Sequence, residues 1–378
     1  MKQFHLLLVI RHPVGGIRTF CRYTYTRLDR SLYCFTLVAP ECNETRILLE
    51  NLGSMQVDYH PLPENLGEVE FVRSVTKIVW AGTYDFVHSH GFTAGIAASL
   101  GCVLRRTPHL LTCHDVFTDE QFAGFKGSLR RLVVGSSLLF IDRIHCVTED
   151  AQSNLFEYLG ILRFIRHRVR AIRNGIDCDH FLEARVRNLR TELGLDDQVF
   201  LIGFLGRFMS QKGFRYLLDA MASLGQREDL PKKPLLLTFS SRDGYYREEM
   251  AEVERRGLTD SVLFMPFEPD VASTLRGLDV LAMPSLWEAC GLLAMEAMVS
   301  GIPVIGTSCI GLREVLSDTP ARVVPPRDAR ALEDALVAEM SASSASQARQ
   351  FAPVAAARFS IDKQVSELEQ LFAEVLVR

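Results

Sequence analysis

The chain is expected to be an α/β protein made of two open parallel sheets in series, and three observations predict it. Short apolar runs alternate with helical stretches from end to end. That alternation restarts after an Asn174-Gly175 turn signal. A length of 378 residues also exceeds what one compact core usually holds.

In the first half, residues 5–10, 34–38, 55–59, 86–90, 109–112, 144–147 and 169–172 read as strands. They are too short for helices, and several are near-continuous Leu, Ile and Val, the pattern of strands buried on both faces. Helical patterns fill the gaps, for example over 67–80, 94–104 and 150–159. Strands alternating with helices imply right-handed crossovers and parallel pairing. A second set of strands is expected at 199–205, 235–239, 262–264, 280–283, 303–306 and 322–324. The boundary is placed near residue 178, giving domains at 1–178 and 179–358. A final segment, 359–378, carries an amphipathic helix from about residue 362, with Val365, Leu368, Leu371, Phe372 and Val375 on one side.

Composition narrows the function classes. Hydrophobic residues at 48% and charged residues at 23% are those of an ordinary globular protein, and a net charge of -4 gives no reason to expect a nucleic-acid partner. Residues 1–175 nevertheless carry 20 Lys and Arg against 16 Asp and Glu, while the remainder carries 22 against 30. The basic front half, with Arg130, Arg131, Arg163, Arg166 and Arg168 among its late arginines, suits an anionic acceptor or a membrane surface, or is a solvated face of ordinary helices. Nine scattered cysteines without a C-x-x-C pair indicate free thiols in a reducing compartment. The first residues hold too short an apolar run for a signal peptide, and nowhere is there a membrane-spanning run. The expected place is the cytoplasm, with peripheral contact at the inner face of the membrane.

Four segments carry chemistry, and all follow expected strands. Pro284-Ser285-Leu286-Trp287-Glu288-Ala289-Cys290-Gly291-Leu292 leads into a helix whose first N–H groups, near Gly291 and Leu292, favour a phosphate. Glu288 before that helix and Glu296 within it can accept hydrogen bonds from two sets of hydroxyls, such as those of a sugar and a ribose. Arg207 and Lys212, five apart in one loop, can reach a single anionic group. Gly15-Gly16, after the first strand, permits close backbone approach to a phosphate or sugar. His88-Ser89-His90-Gly91 and Thr112-Cys113-His114-Asp115 offer imidazoles for a hydroxyl or a proton. Their spacing is not that of a metal site. Each segment has an ordinary reading too: acids complement a helix dipole, loop cations are solvated, and glycine pairs make turns.

Taken in order, the motifs resemble glycosyltransferase family 4, the retaining enzymes with the two-domain GT-B architecture. The order is Gly-Gly after the first strand, then H-x-H-G, C-H-D, N-G-I-D, G-R-x4-K-G and P-S-x2-E-x2-G-L-x3-E-A-M-x2-G-x-P-V. The resemblance implies two Rossmann-like domains facing across a cleft and a C-terminal helix that crosses back to the first. It implies Arg207 and Lys212 on the donor diphosphate, with Gly291 and Leu292 amides on its phosphates and Gly15-Gly16 as the facing loop. It further implies Glu288 on the donor sugar, Glu296 on the ribose, His114 beside the transferred sugar, and Met265-Pro266 near the nucleobase. Two departures stand out: Cys290 replaces the usual Phe, and the loop 240–244 is less glycine-rich than in relatives.

The reaction so implied moves a hexose-type sugar from a nucleoside diphosphate to an acceptor hydroxyl with retention. The donor is a co-substrate, and neither metal nor cofactor is expected. The basic first half makes a lipid-linked or phosphorylated glycan of the cell envelope, as in polysaccharide or lipopolysaccharide synthesis, the expected acceptor. A nucleotide-sugar epimerase or hydrolase on the same scaffold is the alternative, as is a non-catalytic nucleotide-sugar-binding protein. A Rossmann-type oxidoreductase lacks its G-x-G-x-x-G after any strand.

Overall fold

The structure, a computed structural model, describes residues 3–53, 55–240, 244–268 and 270–377. They form two compact units: one runs to Gly175 and takes in the chain again from Ile361, and the other is Ile176–Ser360.

All thirteen expected strands are present. In the first unit they are β1 (Phe4–Ile10), β2 (Tyr33–Pro40), β3 (Val57–Leu62), β4 (Phe86–His90), β5 (His109–Cys113), β6 (Arg143–Cys146) and β7 (Val169–Ala171). They pair in the order β3-β2-β1-β4-β5-β6-β7, parallel throughout. The third strand differs from expectation. It starts at Val57 rather than Met55 and runs on to Leu62, pairing Ala39 with Pro61 and Pro40 with Leu62. A proline is tolerated there because β3 is the sheet edge, where its missing N–H breaks no interior ladder.

Local chemistry sets the helix starts. Glu70 accepts the Gly67 N–H at 3.1 Å before the helix Glu68–Ala81, and the Thr148 hydroxyl accepts the Ala151 N–H at 3.0 Å before Glu149–Tyr158. The C-terminal helix Ile361–Leu376 belongs to the first unit and buries the expected stripe from Val365 to Val375. Its Phe372 ring lies 5.1 Å from that of Phe86. Its Gln364 accepts the Gly175 N–H at 2.6 Å and donates to the Thr24 hydroxyl at 3.2 Å.

The second unit contains β8 (Val199–Leu205), β9 (Lys233–Phe239), β10 (Val262–Met265), β11 (Val280–Met283), β12 (Val304–Thr307) and β13 (Arg322–Val324), all parallel, in the order β10-β9-β8-β11-β12-β13. Ile202, Phe204, Phe208, Phe214, Leu218 and Leu236 are buried together between this sheet and the helix Phe214–Leu224. In both units the strand order reverses once, between β1 and β4 and between β8 and β11. Parallel sheets bind ligands beyond the carboxyl ends of strands at such switch points.

Candidate functional site

In the second unit two loops leave the switch point side by side. The first, after β8, carries Gly206, Arg207 and Lys212; the second, after β11, carries Ser285, Glu288 and Gly291. They are fastened by backbone as well as side chains. The Leu286 N–H donates to the Gln211 carbonyl at 2.7 Å, and the Gln211 amide donates to the Trp287 carbonyl at 3.3 Å. A β-carbon on Gly213, whose φ is +65°, would stand 2.0 Å from the Pro284 carbonyl oxygen, so only glycine allows this approach. Behind Glu288, Gly311 at φ +75° plays the same part, because a β-carbon there would lie 2.1 Å from the Glu288 carbonyl oxygen.

The clasp sets an ion pair at the switch point. Lys212 Nζ donates to Glu288 Oε1 at 2.7 Å, and the Ser285 hydroxyl donates to the same oxygen at 2.8 Å. Thr307 in turn holds the Ser285 carbonyl at 2.5 Å. Glu288 is 7% exposed, and the bonds from Lys212 and Ser285 both fall on Oε1. An ammonium has three donors, so Lys212 keeps two for another anion. Arg207 is exposed and has no hydrogen bond or ion pair among the described residues. Gly291 precedes the helix Leu292–Val299 and supplies no capping side chain, and no acid lies in the first turn. The Ala294 N–H turns back to the Gly291 carbonyl at 3.0 Å, which leaves the Leu292 and Leu293 N–H groups for an external acceptor.

The unit therefore brings Lys212, Glu288, Gly291 and Leu292 into one neighbourhood, with Arg207 on the loop that carries Lys212. Glu296 is buried within the helix, and Cys290 is buried in front of it. Met265 ends β10, and Pro266 is exposed beyond it. Of the less glycine-rich loop, positions 241–243 lie outside the described residues. Ser285, Gln211, Thr307 and Gly311 were not singled out from sequence. Ser285 stood inside the motif, but its partner is visible only once the loop folds.

Gly15, Gly16 and His114 belong to the first unit. Gly15 and Gly16 open the helix Gly15–Tyr25, and the space where a β-carbon on Gly16 would stand is empty to 4 Å. His114, just past β5, is partly exposed. In the other histidine segment, His88, Ser89 and His90 are at most 1% exposed. They occupy the interior because β4 is a central strand covered on both sides.

The same unit has an apolar, cationic face. The helix Gly124–Leu138 buries only Gly127, Val134, Gly135 and Leu138, leaving Phe125, Leu129, Leu132 and Val133 exposed. The turn Gly160–Arg168 packs beside it: a β-carbon on Gly135 would lie 3.0 Å from Ile161. That turn exposes Phe164 at 85%. Lys126, Arg130, Arg131, Arg163, Arg166 and Arg168 stand in these two segments, which contain no acid.

None of the nine cysteines is joined in a disulfide. Among the described residues no cluster of His, Cys, Asp and Glu is arranged to hold a metal, and no helix is long and apolar enough to cross a membrane.

Residues 14–180 match the model of Glycosyltransferase Family 4, and residues 199–341 match that of Glycosyl transferases group 1, so most of the chain is accounted for. The D-inositol 3-phosphate glycosyltransferase of Corynebacterium urealyticum is 28% identical over 312 residues, spanning 77% of this chain and 71% of that protein. The 2-deoxystreptamine N-acetyl-D-glucosaminyltransferase of Streptomyces fradiae is 31% identical over 258 residues, 66% of this chain and 61% of that protein. Among solved structures, Anabaena HepE in complex with UDP and glucose aligns with a TM-score of 0.81 at 18% identity, over 98% of this chain and 100% of that one, a likeness of fold. With a glycosyltransferase model matched in each half and two parallel Rossmann-like sheets of the GT-B type, the chain belongs to the glycosyltransferases of family 4.

Proposed function

We propose that this glycosyltransferase takes its sugar from a nucleoside-diphosphate donor and transfers it with retention to a hydroxyl of a lipid-linked or phosphorylated cell-envelope glycan. The observation that carries the reading is the Lys212–Glu288 pair at 2.7 Å, set beside an uncapped helix start. Lys212, Arg207 and the Leu292 amide would receive the diphosphate, where negative charge accumulates as the bond to the sugar breaks. Glu288 Oε2 would accept a sugar hydroxyl, and Glu296 a ribose hydroxyl. Met265 and Pro266 would flank the base, and Gly15-Gly16, a glycine pair in the first unit with open space at Gly16, is the loop there assigned to the donor.

In the proposed step, the bond from the anomeric carbon to the β-phosphate oxygen breaks. The acceptor oxygen bonds to that carbon on the same face, and its proton passes to the departing phosphate. Two cations and a helix dipole supply the charge that a metal supplies elsewhere, so no metal or cofactor is assigned. The Anabaena HepE complexes with UDP and with UDP-glucose make uridine nucleotides the first donors to try. The relatives' names point to small acceptors, whereas the exposed apolar and cationic face favours an acceptor in a lipid surface. On this reading the enzyme works in the cytoplasm, peripheral to the membrane.

A panel of UDP-, GDP- and ADP-sugars in thermal-shift assays tests the donor site, since a ligand at about 100 times its Kd adds roughly 2.7 kcal/mol. One donor should stabilise the protein, and Lys212→Ala should remove that effect. A chain indifferent to every nucleotide sugar refutes the proposal. Inverted product stereochemistry, or activity lost in a chelator, refutes the retaining, metal-free part of it.

A further inference from the structure

The first unit contains a side-chain hydrogen-bond chain that the proposed reaction leaves unused. It begins at the Ile172 carbonyl, 2.8 Å from His145 Nε2. His145 Nδ1 meets the Thr112 hydroxyl at 3.1 Å, and that hydroxyl meets His88 Nε2 at 2.7 Å. His88 Nδ1 lies 2.8 Å from the Tyr25 hydroxyl, which lies 2.6 Å from His90 Nε2. His90 Nδ1 finally meets His114 Nε2 at 2.9 Å. Residues two apart on a strand share a face, so β4 supplies His88 and His90 while β5 and its end supply Thr112 and His114. Phe20, 4.9 Å from His114, and Phe372, 5.5 Å from His88, cover the row. Every member but His114 is buried.

Such a chain has only one direction. A carbonyl only accepts, so His145 Nε2 carries the proton and its Nδ1 must accept from Thr112. The Thr112 oxygen then accepts from His88 Nε2, leaving His88 Nδ1 to accept from Tyr25. The Tyr25 oxygen accepts from His90 Nε2, and His90 Nδ1 accepts from His114 Nε2. This logic requires neutral imidazoles. Burial, with weaker repulsion from neighbouring imidazoles, holds His88, His90 and His114 well below the usual histidine range, and burial takes His145 down to about 4.

We infer that the Ile172 carbonyl, acting through His145, Thr112, His88, Tyr25 and His90, sets the tautomer of His114, whose Nδ1 is left bare to accept a hydroxyl and refuse phosphate or carbonyl oxygens. That Nδ1 is the one ring nitrogen of the row without a partner among the described residues. Tyr25, His88, His90, Thr112 and His145 are therefore positioning residues for His114. That the hydroxyl belongs to a sugar rests on the reading above; the tautomer does not.

The test is long-range proton–nitrogen NMR of the full chain with nitrogen-labelled imidazoles, His114 being assigned from the signal lost in His114→Asn. At neutral pH the unaltered protein should show His114 protonated at Nε2 alone. Tyr25→Phe removes one oxygen and uncouples His90 and His114 from the carbonyl, so an Nδ1-protonated form of His114 should appear. Thr112→Val breaks the row two links earlier and should have the same effect. An Nδ1-protonated or charged His114 in the unaltered protein, or a tautomer unmoved in both variants, overturns the inference. With a donor in hand, Tyr25→Phe should also lower kcat/KM by about tenfold, the scale of one hydrogen bond. If the tautomer moves and no transfer is found, the glycosyl reading fails and the tautomer inference stands.

Discussion

Two glycines separate what the site needs for folding from what it needs for a ligand. Gly213 faces the Pro284 carbonyl, and a β-carbon there would meet backbone at 2.0 Å in a left-handed conformation at φ +65°. Gly213→Ala should therefore cost about 1–3 kcal/mol in denaturant unfolding and loosen Lys212 from Glu288. Gly16 is the opposite case, with nothing within 4 Å of the missing β-carbon. Gly16→Ala should hold stability within about 0.5 kcal/mol, because near the start of a helix alanine is at least as good as glycine. Donor binding should nonetheless weaken, if the empty space is where a phosphate or sugar comes close. Unchanged donor affinity in Gly16→Ala would remove Gly16 from the site, and unchanged stability in Gly213→Ala would show that the two loops are not clasped.

Among elements, the helix Gly124–Leu138 presents a face out of keeping with a surface in water alone. Phe125 is 86% exposed and Leu132 61% exposed, with Arg130 and Arg131 between them and no acid in the helix. Apolar side chains among cations are drawn to anionic bilayers by burial and by about 1 kcal/mol per basic residue near the surface. The chain should co-sediment with phosphatidylcholine vesicles only when they contain phosphatidylglycerol, and Phe125→Ser with Leu132→Ser should abolish this without moving the melting temperature. Equal binding to neutral vesicles, or none to either kind, would mean that the face does not recognise an anionic membrane. The arginines of this region were legible in the sequence; which side chains they stand among was not, because the helix buries two glycines with Val134 and Leu138 and leaves Phe125, Leu129, Leu132 and Val133 exposed. The strands were legible for a plain reason: buried parallel strands read as continuous apolar runs, and only β3, at the edge, was misplaced. The Lys212–Glu288 neighbourhood was legible as motifs on loops that follow strands, here β8 and β11, neighbours at one switch point. The imidazole row was not, since it joins residues from Tyr25 to Ile172 through a strand order that no local pattern records.

At the scale of the molecule, that row makes the two units unequal toward acid. His88, His90, His109, His114 and His145 all lie in the first unit, and burial is the leading cause that lowers each; His109 is held at about 3 and His145 at about 4. Unfolding restores a pKa near 6.5, so below that pH the unfolded chain takes up protons that the folded unit refuses. Stability contributed by these groups is whole above about pH 6.5 and is lost as pH falls toward 4, at about 1.4 kcal/mol per pH unit for each. The imidazoles act in the same direction, so the loss is large against the stability of a domain. In the second unit the buried Glu249, raised chiefly by burial, gains stability on acidification and so works in the opposite direction. The two tryptophans separate the responses, since Trp80 lies in the first unit and Trp287 in the second. In Trp287→Phe, leaving Trp80, the fluorescence melting temperature should drop steeply between pH 7 and pH 5. In Trp80→Phe, leaving Trp287, it should move far less. Equal shifts at both tryptophans, or a first unit indifferent to acid, would mean that the imidazoles protonate within the folded protein and are not held neutral in its interior.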